Sequence, residues 1–116
     1  MTTAEEYFVD YLNARFPDAP AYGDEPQDAP PSFLTVEQVG GGVADKIPHA
    51  SVAVQSWAGS RDEASQLNLR VIEAMLQAPE QPEISRCALD DTYNFTDTTK
   101  KRYRYQAVFE VVHFLF

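Results

Sequence analysis

Residues Phe33–Ala64 read FLTVEQVGGGVADKIPHASVAVQSWAGSRDEA, and this stretch decides the fold. Residues Ser32 to Val39 alternate as a strand does, with either Leu34 and Val36 or Phe33 and Thr35 facing inward. Gly40, Gly41 and Gly42 are expected as a turn or flexible loop, because three glycines lose too much entropy to sit inside an element. Asp45 to Pro48 continues that connection. His49 to Trp57 is the next strand, with Val52 and Val54 on one face and Ala53, Gln55 and Trp57 on the other. The two strands pair as an antiparallel hairpin with a wide loop. Ser60-Arg61-Asp62-Glu63 matches the S-x-x-E capping box, which opens a helix. Its buried stripe is Ala64, Leu67, Val71, Ala74, Met75 and Ala78, widened by Ile72 and Leu76, and Pro79 and Pro82 end it.

Outward from this segment the remaining elements follow. Ala4 to Arg15 is a helix with Thr3 as N-cap, Glu5 and Glu6 in its first turn, and Tyr7, Phe8, Tyr11 and Leu12 on one stripe. Pro17 stops it. Residues 17–31 form an acidic loop with five of the eight prolines. It is either an arm that orders against a partner or a plain connector. Glu83 to Leu89 is a third strand, Asp90 to Thr99 a polar loop, and Lys101 to Phe116 the last strand. The order α-β-β-α-β-β makes residues 1–116 one α+β domain. It is a two-layer sandwich of two helices on a four-stranded, mainly antiparallel sheet.

The last strand supplies a physical case for assembly. Its odd positions, Tyr103 to Leu115, form an apolar face. Its even positions start polar at Arg102, Arg104 and Gln106, then turn apolar at Val108, Val112, Phe114 and Phe116. A strand apolar on both faces is buried on both. Two helices cover one face. The other needs a third layer or a neighbouring subunit, unless the first helix or the proline loop covers it. Val112, Phe114 and Phe116 are therefore candidate interface residues. So is Trp57, which either anchors an interface or caps the core. The cations Lys100, Lys101, Arg102 and Arg104 form a positive edge suited to the acidic N-terminal region of a neighbour.

Composition narrows the function. The chain carries 9 basic and 18 acidic residues, for a net charge of −9. Residues 1–31 hold seven acids against one base. Such a chain repels phosphate backbones, which disfavours stable nucleic-acid binding. The apolar runs are too short to span a membrane, and MTTAEEYF lacks the basic and apolar regions of a signal peptide. The single Cys87 excludes an internal disulfide and reads as a small buried hydrophobe. His49, Cys87 and His113 lie on three different strands and form no local metal motif. His113 reads as a core or interface histidine. Asp90, Asp91 and Asp97 lack calcium-loop spacing, and the glycine run matches no phosphate-binding motif. No catalytic, cofactor or metal residue is assigned, and the chain is read as a non-enzyme.

The ordered motifs resemble the tail terminator proteins of long-tailed bacteriophages, most nearly those of actinobacterial phages and prophages. In that family a strand ending V-E-x-x-G-G leads to a V-x-V-Q-x-W-A-x-S strand and a helix rich in alanine and leucine. Phe33, Val36, Glu37, Gly40 and Gly41 match the first part. Val52, Val54, Gln55, Trp57, Ala58, Ser60 and Ala64 match the second. Asp90, Tyr93, Asn94 and Phe95, then Arg102 and Tyr103, continue the likeness. The resemblance spans roughly Phe33 to Val111 plus the N-terminal helix. It implies a structural subunit forming a hexameric ring at the head-proximal end of the tail in the virion. Such a ring caps the tail tube protein, stops polymerisation and docks the head–tail connector, while DNA passes through its lumen unbound. It implies no cofactor and no membrane partner. Two other classes stay open: an acidic DNA-mimic inhibitor, or a small enzyme with a spatially assembled His, Cys or acid site. A related connector subunit is a further alternative.

Overall fold

In the computed structural model, which describes residues 2–97, 99 and 102–115, the hairpin turns later than the glycines suggest. Strand β2 (Phe33–Ala44) runs straight through Gly40–Gly42, and β3 (Ile47–Ala58) pairs with it antiparallel. The reversal falls on Asp45 and Lys46, both left-handed at φ 51° and 66°. Two successive residues with positive φ match the right-handed twist of the flanking strands, and aspartate tolerates that region. The expected glycine turn is thus corrected to a two-residue turn three positions on. The glycines serve the strand instead. A bulge between Gln38 and Gly40 shifts the register, and Gly41 sits at φ 149°. A Cβ on Gly41 would lie 2.7 Å from the His49 carbonyl oxygen, so only glycine fits there.

The sheet has five strands rather than four, in the order β1-β2-β3-β5-β4, where β1 is Ala21–Tyr22, β4 Ile84–Asn94 and β5 Tyr103–His113. The added strand β1 comes from the proline loop and pairs parallel with Leu34 and Thr35 of β2. It forms because Asn13 brackets Ala21: its Nδ2 donates to the Ala21 carbonyl at 3.0 Å, and its Oδ1 accepts from the Ala21 N–H at 2.8 Å. Part of the loop is therefore tied to the helix before it. A second correction concerns Asp90–Asn94, expected as loop but extending β4. The tolerance for acids there comes from an edge position whose residues stay exposed, with a bulge between Leu89 and Asp91. Lys100, Lys101 and Phe116 lie outside the described residues.

Helices α1 (Ala4–Arg15) and α2 (Arg61–Leu76) form as the sequence leads one to expect. Thr3 Oγ1 accepts from the Glu6 N–H, and Ser60 Oγ from the Glu63 N–H, both at 3.1 Å. Each satisfies one orphan donor of a first turn. A short 3-10 turn, Ala78–Glu80, follows α2. Both helices pack on the same sheet face. Phe8, Leu12, Val71 and Met75 meet Leu34, Val36, Val52, Val54, Phe109 and Val111 in one core. Burying each such side chain is worth about 1.5–3 kcal/mol. Leu76, expected on the buried stripe, is exposed, while Asn68 is buried there. The long axis measures 43 Å against 24 and 23 Å for the others. A twelve-residue strand at about 3.3 Å per residue accounts for that length.

Candidate functional site

Among the described residues no helix lies over the opposite face of the sheet. Its first half is built from two adjacent rows of side chains. One row crosses β2, β3, β5 and β4 at Thr35, Gln55, Gln106 and Tyr93, which the strand pairing aligns. Thr35 Oγ1 donates to Gln55 Oε1, Gln55 Nε2 to Gln106 Oε1, and Gln106 Nε2 to the Tyr93 hydroxyl, each at 2.5 Å. The Trp57 indole N–H donates into the same chain at Thr35 Oγ1, 2.9 Å away. The track satisfies buried polar atoms across four strands. Losing one member leaves its neighbours desolvated without partners.

The second row is aromatic and cationic. Phe33 and Trp57 stack at 5.3 Å with a 9° interplanar angle. Arg104 lies over Trp57 at 4.7 Å and over Phe95 at 4.3 Å, and its Nε donates to the Phe95 carbonyl. Arg102 lies over Phe33 at 5.4 Å. Tyr22 closes the row, edge-on to Phe33. This explains how Trp57 is only 3% exposed on a face without a helical layer: rings and guanidinium groups cover one another. Arg102 and Arg104 thus serve first as lids on their own aromatics.

Beyond this patch the face changes character. Val108 and Val112 are half-buried, and Phe114, just past β5, is 60% exposed. Glu110 interrupts them and accepts from the Ser51 hydroxyl at 2.6 Å. The expected interface residues therefore fall into two groups. Trp57, Arg102 and Arg104 come together at one end, and Val112 and Phe114 lie at the other. Eight residues of β5 separate Arg104 from Val112, about 26 Å. Neither α1 nor the proline loop covers the Val112 end. The loop approaches the Trp57 end, where Asp24, Glu25 and Glu37 wall a groove of about 660 Å³ floored by Trp57, Gln55, Phe95 and Arg104.

The groups whose titration the fold displaces are on the helix side or in its loops. Burial pushes the Cys87 thiol up to about 12, so at neutral pH it is a thiol rather than a nucleophilic thiolate. Burial, helped by nearby His49, holds His113 below the ordinary histidine range. Burial and the Glu83 carboxylate raise Tyr7 to about 12. Arg70, bidentate on Asp18 at 2.9 and 3.0 Å, lowers that carboxyl. Among the described residues no cluster of three His, Cys, Asp or Glu side chains is placed to hold a metal. Among the described residues no helix is long and apolar enough to cross a membrane.

The polar track went unread in the sequence, although Thr35, Gln55 and Gln106 all interrupt apolar alternation. Their alignment depends on the turn position and the bulge, and both lay hidden behind the glycines. No protein-family model matches the chain, and comparison with curated proteins finds no match.

Proposed function

We propose that this chain is a tail terminator subunit. In this reading it assembles as a ring, hexameric in the resembled family, on the head-proximal end of a long-tailed phage tube. The ring stops tube growth, docks the connector and lets DNA pass. The observation that carries the reading is the Val108–Val112–Phe114 stretch. Among the described residues no helix covers this part of the sheet face: Phe114, just past β5, is 60% exposed, and Val108 and Val112 are partly exposed on either side of Glu110. Apolar side chains grouped at the surface in this way mark a surface that something binds. The ordered motifs from Phe33 to Tyr103 supply the choice of family. The net charge of −9 suits a channel that a polyanion must traverse without sticking.

Electron microscopy of the purified protein mixed with tail tubes tests the proposal. The expected image is a ring at one end of each tube, with tube length arrested. Tubes that keep growing with bare ends reject it.

A further inference from the structure

The far end of the β2–β3 hairpin is an arm. From Glu37 to Ala44 every residue of β2 is exposed, and β5 joins β3 only from His49 onward. Val43 pairs with Pro48 and points toward the helix side, lining a cleft with His113, whereas Ile47 falls on the opposite face. Both are about half exposed. The arm therefore offers one exposed apolar side chain on each of its faces. Its apex is Asp45-Lys46, and Lys46 makes no ion pair with any described residue.

At the other end of the same hairpin lies the groove beside Trp57. Its walls carry Asp24, Glu25 and Glu37, its floor is aromatic, and Arg104 stands in it with its Nε engaged by the Phe95 carbonyl. The groove complements the arm: carboxylates for Lys46, a guanidinium for Asp45, and the exposed Phe95 ring for the apolar side chains beside the apex. Glu37 to Val39, at the root of the arm, line the groove, but the apex cannot reach it. Ile47 and Trp57 are ten residues apart on one straight strand, about 33 Å.

We propose that the arm of one copy of this chain docks in the Trp57 groove of the next. Two different surfaces meet, so the contact is head-to-tail and closes into a ring when its rotation permits. The choice of a second copy as occupant rests on the ring-subunit reading. The fit itself rests on the charge and apolar pattern of arm and groove.

Mixing two defective variants tests this. K46E/I47D spoils the arm and leaves the groove whole. D24K/E25K spoils the groove, through exposed loop residues, and leaves the arm whole. Sedimentation with chemical cross-linking at about 1 mM is expected to show wild-type multimers. Each variant alone should associate at least tenfold more weakly, and the equimolar mixture should stop at a heterodimer, one arm in one groove. Circular dichroism on both variants controls for folding. A wild-type chain that neither sediments as a multimer nor cross-links overturns the proposal. So does a mixture that fails to pair while both variants are folded, or either variant assembling as the wild type does. Normal self-association without arrest of tube growth removes the terminator reading and leaves this contact standing.

Discussion

The two faces of one sheet solve burial differently. On the helix side, Leu34, Val36, Val52, Val54, Phe109 and Val111 meet side chains of α1 and α2, and the gain is non-directional area removed from water. On the bare side, Thr35, Gln55, Gln106 and Tyr93 are held by directed hydrogen bonds, and Phe33 and Trp57 by stacking under arginines. A covered face tolerates any well-fitting apolar side chain. A face that supplies its own cover needs particular partners in register. The track and the aromatic row end before Val112 and Phe114.

Substitutions can break this contrast, the largest effect first. Phe109→Ala, in the covered core, should cost about 3–5 kcal/mol in denaturant unfolding. The matched change Val112→Ala on the bare face should cost less, about 1 kcal/mol, since that site is already partly exposed. Equal losses would mean the bare face is as well packed as the core. Gln55→Ala removes the centre of the polar track and strands Thr35 and Gln106, for about 1–3 kcal/mol. Trp57→Phe, which keeps the stack and loses one hydrogen bond, should cost only about 1 kcal/mol. Gly41→Ala should cost about 1–3 kcal/mol through its φ and its clash with the His49 carbonyl, whereas Gly42→Ala, in ordinary contact, should be milder.

Titration sharpens the covered side. The folded state holds His113 below its unfolded value of about 6.5, so the unfolded chain binds its proton first. Stability should therefore be complete above that value and fall as pH drops through it toward the folded pKa. His113→Gln should flatten this acid limb of the stability–pH curve, and an unchanged limb would assign it to other groups. The smallest stability effect belongs to Phe114→Asp, near zero for the isolated chain because the ring is 60% exposed. Under the proposed ring-subunit reading, the same variant should impair ring formation on tail tubes. Rings formed as readily as by the unmodified protein would remove Phe114 from the interface.

Much of the covered face was legible from one chain. The Ser60–Glu63 cap and the stripes Phe8–Leu12 and Leu67–Met75 are local patterns, and local geometry enforces them. The candidate surface was legible in parts. The apolar even positions of the C-terminal segment pointed to Val112 and Phe114, while Arg102 and Arg104 read as a positive edge, with no sign that their guanidinium faces rest on Phe33, Trp57 and Phe95. The pairings of Arg102 with Phe33 and of Arg104 with Trp57 join residues tens of positions apart, so no short window along the chain contains them.

By itself, then, the amino-acid order determined two capped amphipathic helices, the strands they cover and an acidic chain, because those depend on neighbours within a few residues. Tertiary structure decided where the hairpin turns, that Asn13 recruits the proline loop as a fifth strand, and that one polar row crosses four strands. Each of these is set by register. Register depends on which distant backbone groups find each other, and a one-residue slip moves every side chain to the other face.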